Sequence, residues 1–134
     1  MILSSLGKHR DTGLLILRVI IGLSFMMHGY PKITGGMEMW QGLGGAMNVF
    51  GIDFGAPFWG ALAAFTEFLG GFLIVIGFAF RPVCILLGFT MLVAGLSHYQ
   101  GGDGFGGYSH ALKMFGVFLG LLFIGPGKYS LDRK

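Results

Sequence analysis

Four stretches of this sequence are long and apolar enough to cross a bilayer as helices, and nothing else in it constrains the fold so tightly. A spanning helix needs about 20 mostly apolar residues. The stretches lie at about 12–30, 57–80, 82–99 and 108–124, and their only formal charges are Arg18, Glu67 and Lys113. Charged residues make up only 11% of the chain, against about 25% in an ordinary soluble domain. A soluble globule of this composition would lack the polar surface to cover its core. The expected fold is an all-α integral membrane four-helix bundle, one domain over residues 1–134, with the lipid bilayer as its first partner. Arg18 splits the first apolar stretch and no small-x-small cleavage site follows, so a secretory signal is not expected there.

Charge placement sets the expected topology. Of the Lys and Arg residues, Lys8, Arg10, Arg81, Lys128, Arg133 and Lys134 fall on one side of the four spans, whereas the 31–56 and 100–107 connections on the other hold only Lys32. The positive-inside rule then puts both termini in the cytoplasm. The net charge of +3 is small and dispersed, with no basic stripe for nucleic acid. A lone cysteine, Cys84, excludes a thiol pair or a Cys-rich zinc site within one copy.

Arg81-Pro82 reads as the tight turn between the second and third spans, with Pro at the first helical position. Gly125-Pro126-Gly127 ends the fourth. The glycine-rich 100–107 segment reads as a flexible loop. Between Met37 and Phe50, an approximate helical stripe of Met37, Met39, Trp40, Leu43, Met47 and Phe50 predicts a short interfacial helix in the first outer loop.

The chain has 26 glycines, which cost helix stability unless close backbone packing replaces apolar burial as the cohesive force, as it does in lipid. Gly70 and Gly71 share a small-residue face with Glu67, Gly22 lies one turn from Arg18, and Gly116 and Gly120 form a GxxxG pair beside Lys113. Each intramembrane charge therefore lies on a small-residue face and is expected to point into the bundle.

Charges inside a bilayer are costly and mark function by default. Glu67 is about 15–20 Å from either end of its span at 1.5 Å per residue, so it must be protonated, paired or facing water. Arg18 could snorkel or reach towards Glu67, and Lys113 could snorkel. His28, His98 and His110 fall at the outer ends of three spans. They lack local ligand spacing, so no metal site is expected. Together Arg18, His28, Glu67, His98, His110 and Lys113 form a candidate ligand and proton site. Lined by aromatics and methionines, such a polar column suits a quinone head group, with carbonyls that accept hydrogen bonds. Small aromatic or sulfur compounds suit it less specifically.

The sequence resembles the DoxX family of small bacterial inner-membrane proteins over about residues 12–132. The resemblance is carried by Leu17-Arg18, by His28-Gly29-Tyr30-Pro31-Lys32, by Glu67-Phe68-Leu69-Gly70-Gly71 with Gly77 and Arg81-Pro82, and by Gly125-Pro126-Gly127-Lys128-Tyr129-Ser130-Leu131-Asp132. It implies a multi-pass protein of the bacterial inner membrane, associated in relatives with quinone-linked oxidoreduction and membrane redox complexes. It assigns no catalytic residue. Three functions follow as expectations: a quinone-interacting subunit needing redox partner subunits, a small-molecule permease or exporter working as a homo-oligomer, and a scaffold anchoring a membrane redox complex.

Overall fold

A computed structural model describes residues 1–132. The chain is 83% helical, with no strand among the described residues. A 3₁₀ stretch, Ser4–His9, leads into α1, Arg10–Thr34. The short α2, Gly36–Gly44, runs on into a second 3₁₀ stretch, Gly45–Phe50. Three helices of 21 residues follow: α3, Ala56–Ile76; α4, Phe80–Gln100; and α5, Gly104–Ile124. These three, and α1 with its lead-in, are long and apolar enough to cross a membrane. Each 21-residue helix is about 32 Å long at 1.5 Å per residue, close to the thickness of a hydrocarbon core.

Both ends of the chain meet at one end of the bundle, where the Lys128 N–H donates to Asp11 Oδ1 and Arg10 donates to the Ile124 carbonyl. This is the terminal end; α2 sits at the opposite, loop end. Arg133 and Lys134, used in the topology reading, lie outside the described residues.

The packing follows the small residues. In α1 the buried face is Leu14, Arg18, Gly22, Phe25 and Gly29; in α3 it is Gly60, Ala64, Glu67, Gly70, Gly71 and Ile74. A Cβ on Gly22 would lie 2.5 Å from the Gly71 carbonyl oxygen, and one on Gly29 2.6 Å from the Phe68 nitrogen. The two backbones therefore touch, as small-residue seams allow. Beside this seam, α4 and α5 supply most of a conventional core: Phe80, Val83, Cys84, Leu87 and Met91 with Phe118 and Leu121. The α1 and α5 backbones stay apart and meet through side chains, with Phe25 and Phe118 edge to face at 5.2 Å. Ile16, Ile20, Phe65, Phe72, Ile85 and Leu119 stand exposed on the outside, as surfaces for acyl chains must.

Several boundaries differ from the sequence reading. The α3–α4 turn is Gly77–Ala79, not Arg81-Pro82. Gly77, at φ 71°, closes a Schellman motif in which Phe78 N–H reaches the Leu73 carbonyl and Gly77 N–H the Ile74 carbonyl. Pro82 then occupies the first turn of α4, where its missing donor costs nothing. Pro31 does not end α1, because a proline in the last turn forfeits only one helical bond. Half of the expected 100–107 loop, from Gly104 on, is the start of α5. The expected interfacial helix is present, but it packs back on α3: Ala56 backbone fills the space beside Gly44, and the Trp40 carbonyl that beside Gly60.

Candidate functional site

The polar residues singled out from the sequence separate into two groups at opposite ends of the bundle. Arg18 belongs to the terminal end. It is 1% exposed, and its guanidinium donates to four backbone carbonyls. Nε reaches Ile74 at 3.1 Å, Nη1 reaches Pro126 at 2.8 Å, and Nη2 reaches both Val75 and Tyr129 at 2.9 Å. Two of these carbonyls end α3 and two lie in the segment after α5, so one side chain ties three parts of the chain together. The same segment closes the turn: Leu131 and Asp132 N–H groups donate to Ile76 and Gly77, and the Asp132 carboxylate accepts from the Ala79 and Phe80 N–H groups at the start of α4. Arg81 and Arg10 donate to the last carbonyls of α5, offsetting unpaired C-terminal groups. Arg18 thus makes no contact with Glu67.

Glu67 belongs to the other group. It is 4% exposed, and its partner is Lys32, whose Nζ donates to Oε2 at 2.7 Å. Lys32 is absent from the sequence-derived site because the first span is read as ending at about residue 30, which leaves Lys32 in the 31–56 connection. A signal for it exists. Because α1 continues to Thr34, Arg18, Gly22, Phe25, Gly29 and Lys32 follow one another in steps of four, three, four and three, which is one helix face. Trp40 Nε1 donates to the Lys32 carbonyl at 2.9 Å, so α2 braces the last turn of α1 beside the ion pair.

The pair lines a cavity of about 570 Å³ bounded by α2 with its 3₁₀ extension, α3 and α4. Ligand pockets commonly measure about 300–1,000 Å³. Its wall is mostly apolar, with Met47, Leu62, Phe89 and Met91, and carries Thr66, Thr90, Ser97 and His98 as further polar groups. Among the described residues, Glu67 Oε1 takes no hydrogen bond, while no fully buried side-chain polar atom lacks a partner. That oxygen is therefore accessible, and the cavity is the space beside it. Lys32 uses one of its three N–H donors on Glu67. The cavity is thus served by a spare anionic acceptor and spare cationic donors from one ion pair.

The remaining predicted residues are distributed as follows. His98 lines the cavity, and its Nδ1 lies 2.6 Å from Asp103 Oδ2. His28 and His110 meet each other across α1 and α5, ring centroids 5.8 Å apart, away from the cavity. Lys113 is exposed on α5, and nothing lies within 4 Å of a Cβ placed on Gly116 or Gly120. That face points outward. Gly22, Gly70 and Gly71 do pack, with Leu87 3.2 Å from a Cβ on Gly70. Among the described residues, no group of three or more His, Cys, Asp or Glu is placed to hold a metal ion.

Comparison with known proteins places this geometry in a family context. The sequence profile of the DoxX family matches residues 13–100. The chain is 34% identical to inner membrane protein YqjF of Escherichia coli strain K12 over 129 residues, covering 94% of each. It is 31% identical to inner membrane protein YphA of the same organism, covering 96% of this chain and 94% of that one. Over a shorter stretch of 90 residues it is 36% identical to a Bacillus subtilis strain 168 protein named "Putative oxidoreductase CatD", covering 66% of this chain and 61% of that one. No solved structure matches the chain.

Proposed function

The chain belongs to the DoxX family of membrane proteins, and from that premise we propose that it is a quinone-binding subunit of an inner-membrane redox system. The observation that carries this reading is the Lys32–Glu67 pair standing against an apolar cavity with donor and acceptor capacity to spare. A quinone carbonyl accepts hydrogen bonds, and Lys32 can donate one. A quinol hydroxyl donates, and Glu67 Oε1 can accept. The two redox forms therefore find complementary partners at one point, while Met47, Phe89 and Met91 offer apolar wall for the planar ring.

Reduction of a quinone to a quinol takes up two electrons and two protons. With one cysteine and no thiol pair, this chain is assigned the binding and proton-exchanging part, and a partner subunit the supply of electrons. The name carried by CatD accords with a redox setting. The charge bias that puts the termini in the cytoplasm would place the cavity towards the outer half of the membrane.

Trp59 lines the cavity and offers a direct readout, since quinones quench indole fluorescence. Titration of a benzoquinone into the protein held in nanodiscs is expected to give saturable quenching that Trp59→Phe reduces. Glu67→Gln or Lys32→Gln should weaken it roughly 10- to 100-fold, as expected for losing a hydrogen bond to a charged group. Quenching that never saturates, or that is the same in these variants, would overturn the assignment.

A further inference from the structure

The walls of the cavity are not all interior. Along α3, Phe58, Leu62, Phe65, Leu69 and Phe72 form an exposed apolar stripe at three- and four-residue spacing, the surface a spanning helix presents to lipid. Leu62 belongs to that stripe and also lines the cavity. On α4, Leu86 and Phe89 do the same: each is about half exposed or more, and each lines the cavity. The lipid-facing surface and the cavity wall are therefore continuous between α3 and α4. Leu62 is five residues from Glu67, about 7.5 Å along the helix axis, so the opening lies close to the ion pair.

One aromatic contact lies on the α4 side of the opening. Phe50, at the end of the 3₁₀ stretch after α2, stacks on Phe89 with centroids 6.0 Å apart and planes 16° from parallel. Gly51 follows directly at φ 75°, a left-handed conformation open to glycine at little cost.

We propose that the site takes its ligand sideways from the bilayer through this α3–α4 opening, and that the ligand is a quinone carrying an isoprenoid or alkyl chain. The head lies at Lys32–Glu67; the chain leaves between Leu62 and Phe89 into the acyl region. The polarity difference carries the choice of occupant: an ion pair with Thr66 next to it in sequence on the inner wall, and the large apolar side chains Leu62, Leu86 and Phe89 where wall becomes outer surface. An amphiphile with one hydrogen-bonding end matches that order, and it already resides in the phase onto which the opening faces. The inference rests on the quinone reading above and specifies how that site is reached.

The test uses the full chain in nanodiscs and two probes with one head: a dimethoxy-methyl-benzoquinone bearing a decyl chain, and the same quinone with no chain. Binding is read as thermal stabilisation. Both probes are expected to stabilise the wild type. Leu62→Trp, which fills the opening, should lower apparent affinity for the decyl compound by at least about tenfold and leave the chainless one within about twofold. Leu86→Trp, from the opposite wall, should act in the same way and serves if the first variant does not fold. Phe65→Trp, on the lipid face outside the cavity, should change neither. A wild type that accepts the chainless probe and refuses the decyl one has a closed cavity, which overturns the inference and leaves the quinone site standing. So does a Leu62→Trp variant that weakens both probes alike, or neither. If neither probe stabilises the wild type, the quinone site itself fails and the lateral route with it.

Discussion

Arg18 and Glu67 are both charged, both buried and both on small-residue faces, yet they perform different tasks. Arg18 donates to four carbonyls, which a planar fork with five donors can reach at once and an ammonium with three cannot. Arg18→Lys should therefore destabilise the protein by about 1–3 kcal/mol, the usual cost of stranding a buried acceptor, while leaving quinone affinity unchanged. Thermal unfolding and the Trp59 titration on one sample separate the two effects; a variant of normal stability and lost affinity would put Arg18 back in the site. The marooned carboxylate of Glu67 was legible in the sequence, because a charge in mid-span cannot escape to water. Its partner was not. The first apolar stretch fades at about residue 30, and only the continuation of α1 through Pro31 carries Lys32 onto the buried face.

Among the helices, glycine spacing announced close packing without saying which glycines pack. Gly22, Gly29 and Gly71 sit in the α1–α3 seam with backbone within 3 Å of where a methyl would stand. The GxxxG pair on α5 meets nothing within 4 Å among the described residues, although its motif was the more familiar. The difference lies in which helices become neighbours, and spacing along one helix does not encode that. Gly22→Ala should cost about 1–3 kcal/mol through forced separation of the seam, whereas Gly120→Ala should stay within about 0.5 kcal/mol. Unfolding of the two variants side by side checks this, and equal effects would mean that α5 packs through its glycines. The turn positions were misplaced for a related reason: Gly77 and Asp132 together stop α3 and start α4, and the second acts from 52 residues away in sequence.

At the scale of the whole molecule, the bundle is tied at one end and hollow towards the other. The terminal end holds Arg18, Gly77 and the closing segment to Asp132 in a lattice of side-chain-to-backbone bonds. The loop end leaves α2 and its extension as a roof over a cavity whose inner wall is the Lys32–Glu67 pair. The motifs behind the family resemblance divide along the same line, with Leu17-Arg18, Gly77 and the closing segment serving the tie, and Lys32 and Glu67 serving the cavity. The number of spans and the shared side of the two termini follow from hydropathy alone. The cavity does not, since it is made by a short, glycine-rich segment folding back on α3. The most direct test of its role is photolabelling with an azidoquinone in native membranes, followed by peptide mapping. The account predicts adducts around Met47, Thr66, Thr90 and Met91, suppressed by excess unlabelled quinone and reduced in Glu67→Gln. Adducts centred instead on His28 and His110, or labelling that excess quinone does not suppress, would contradict it.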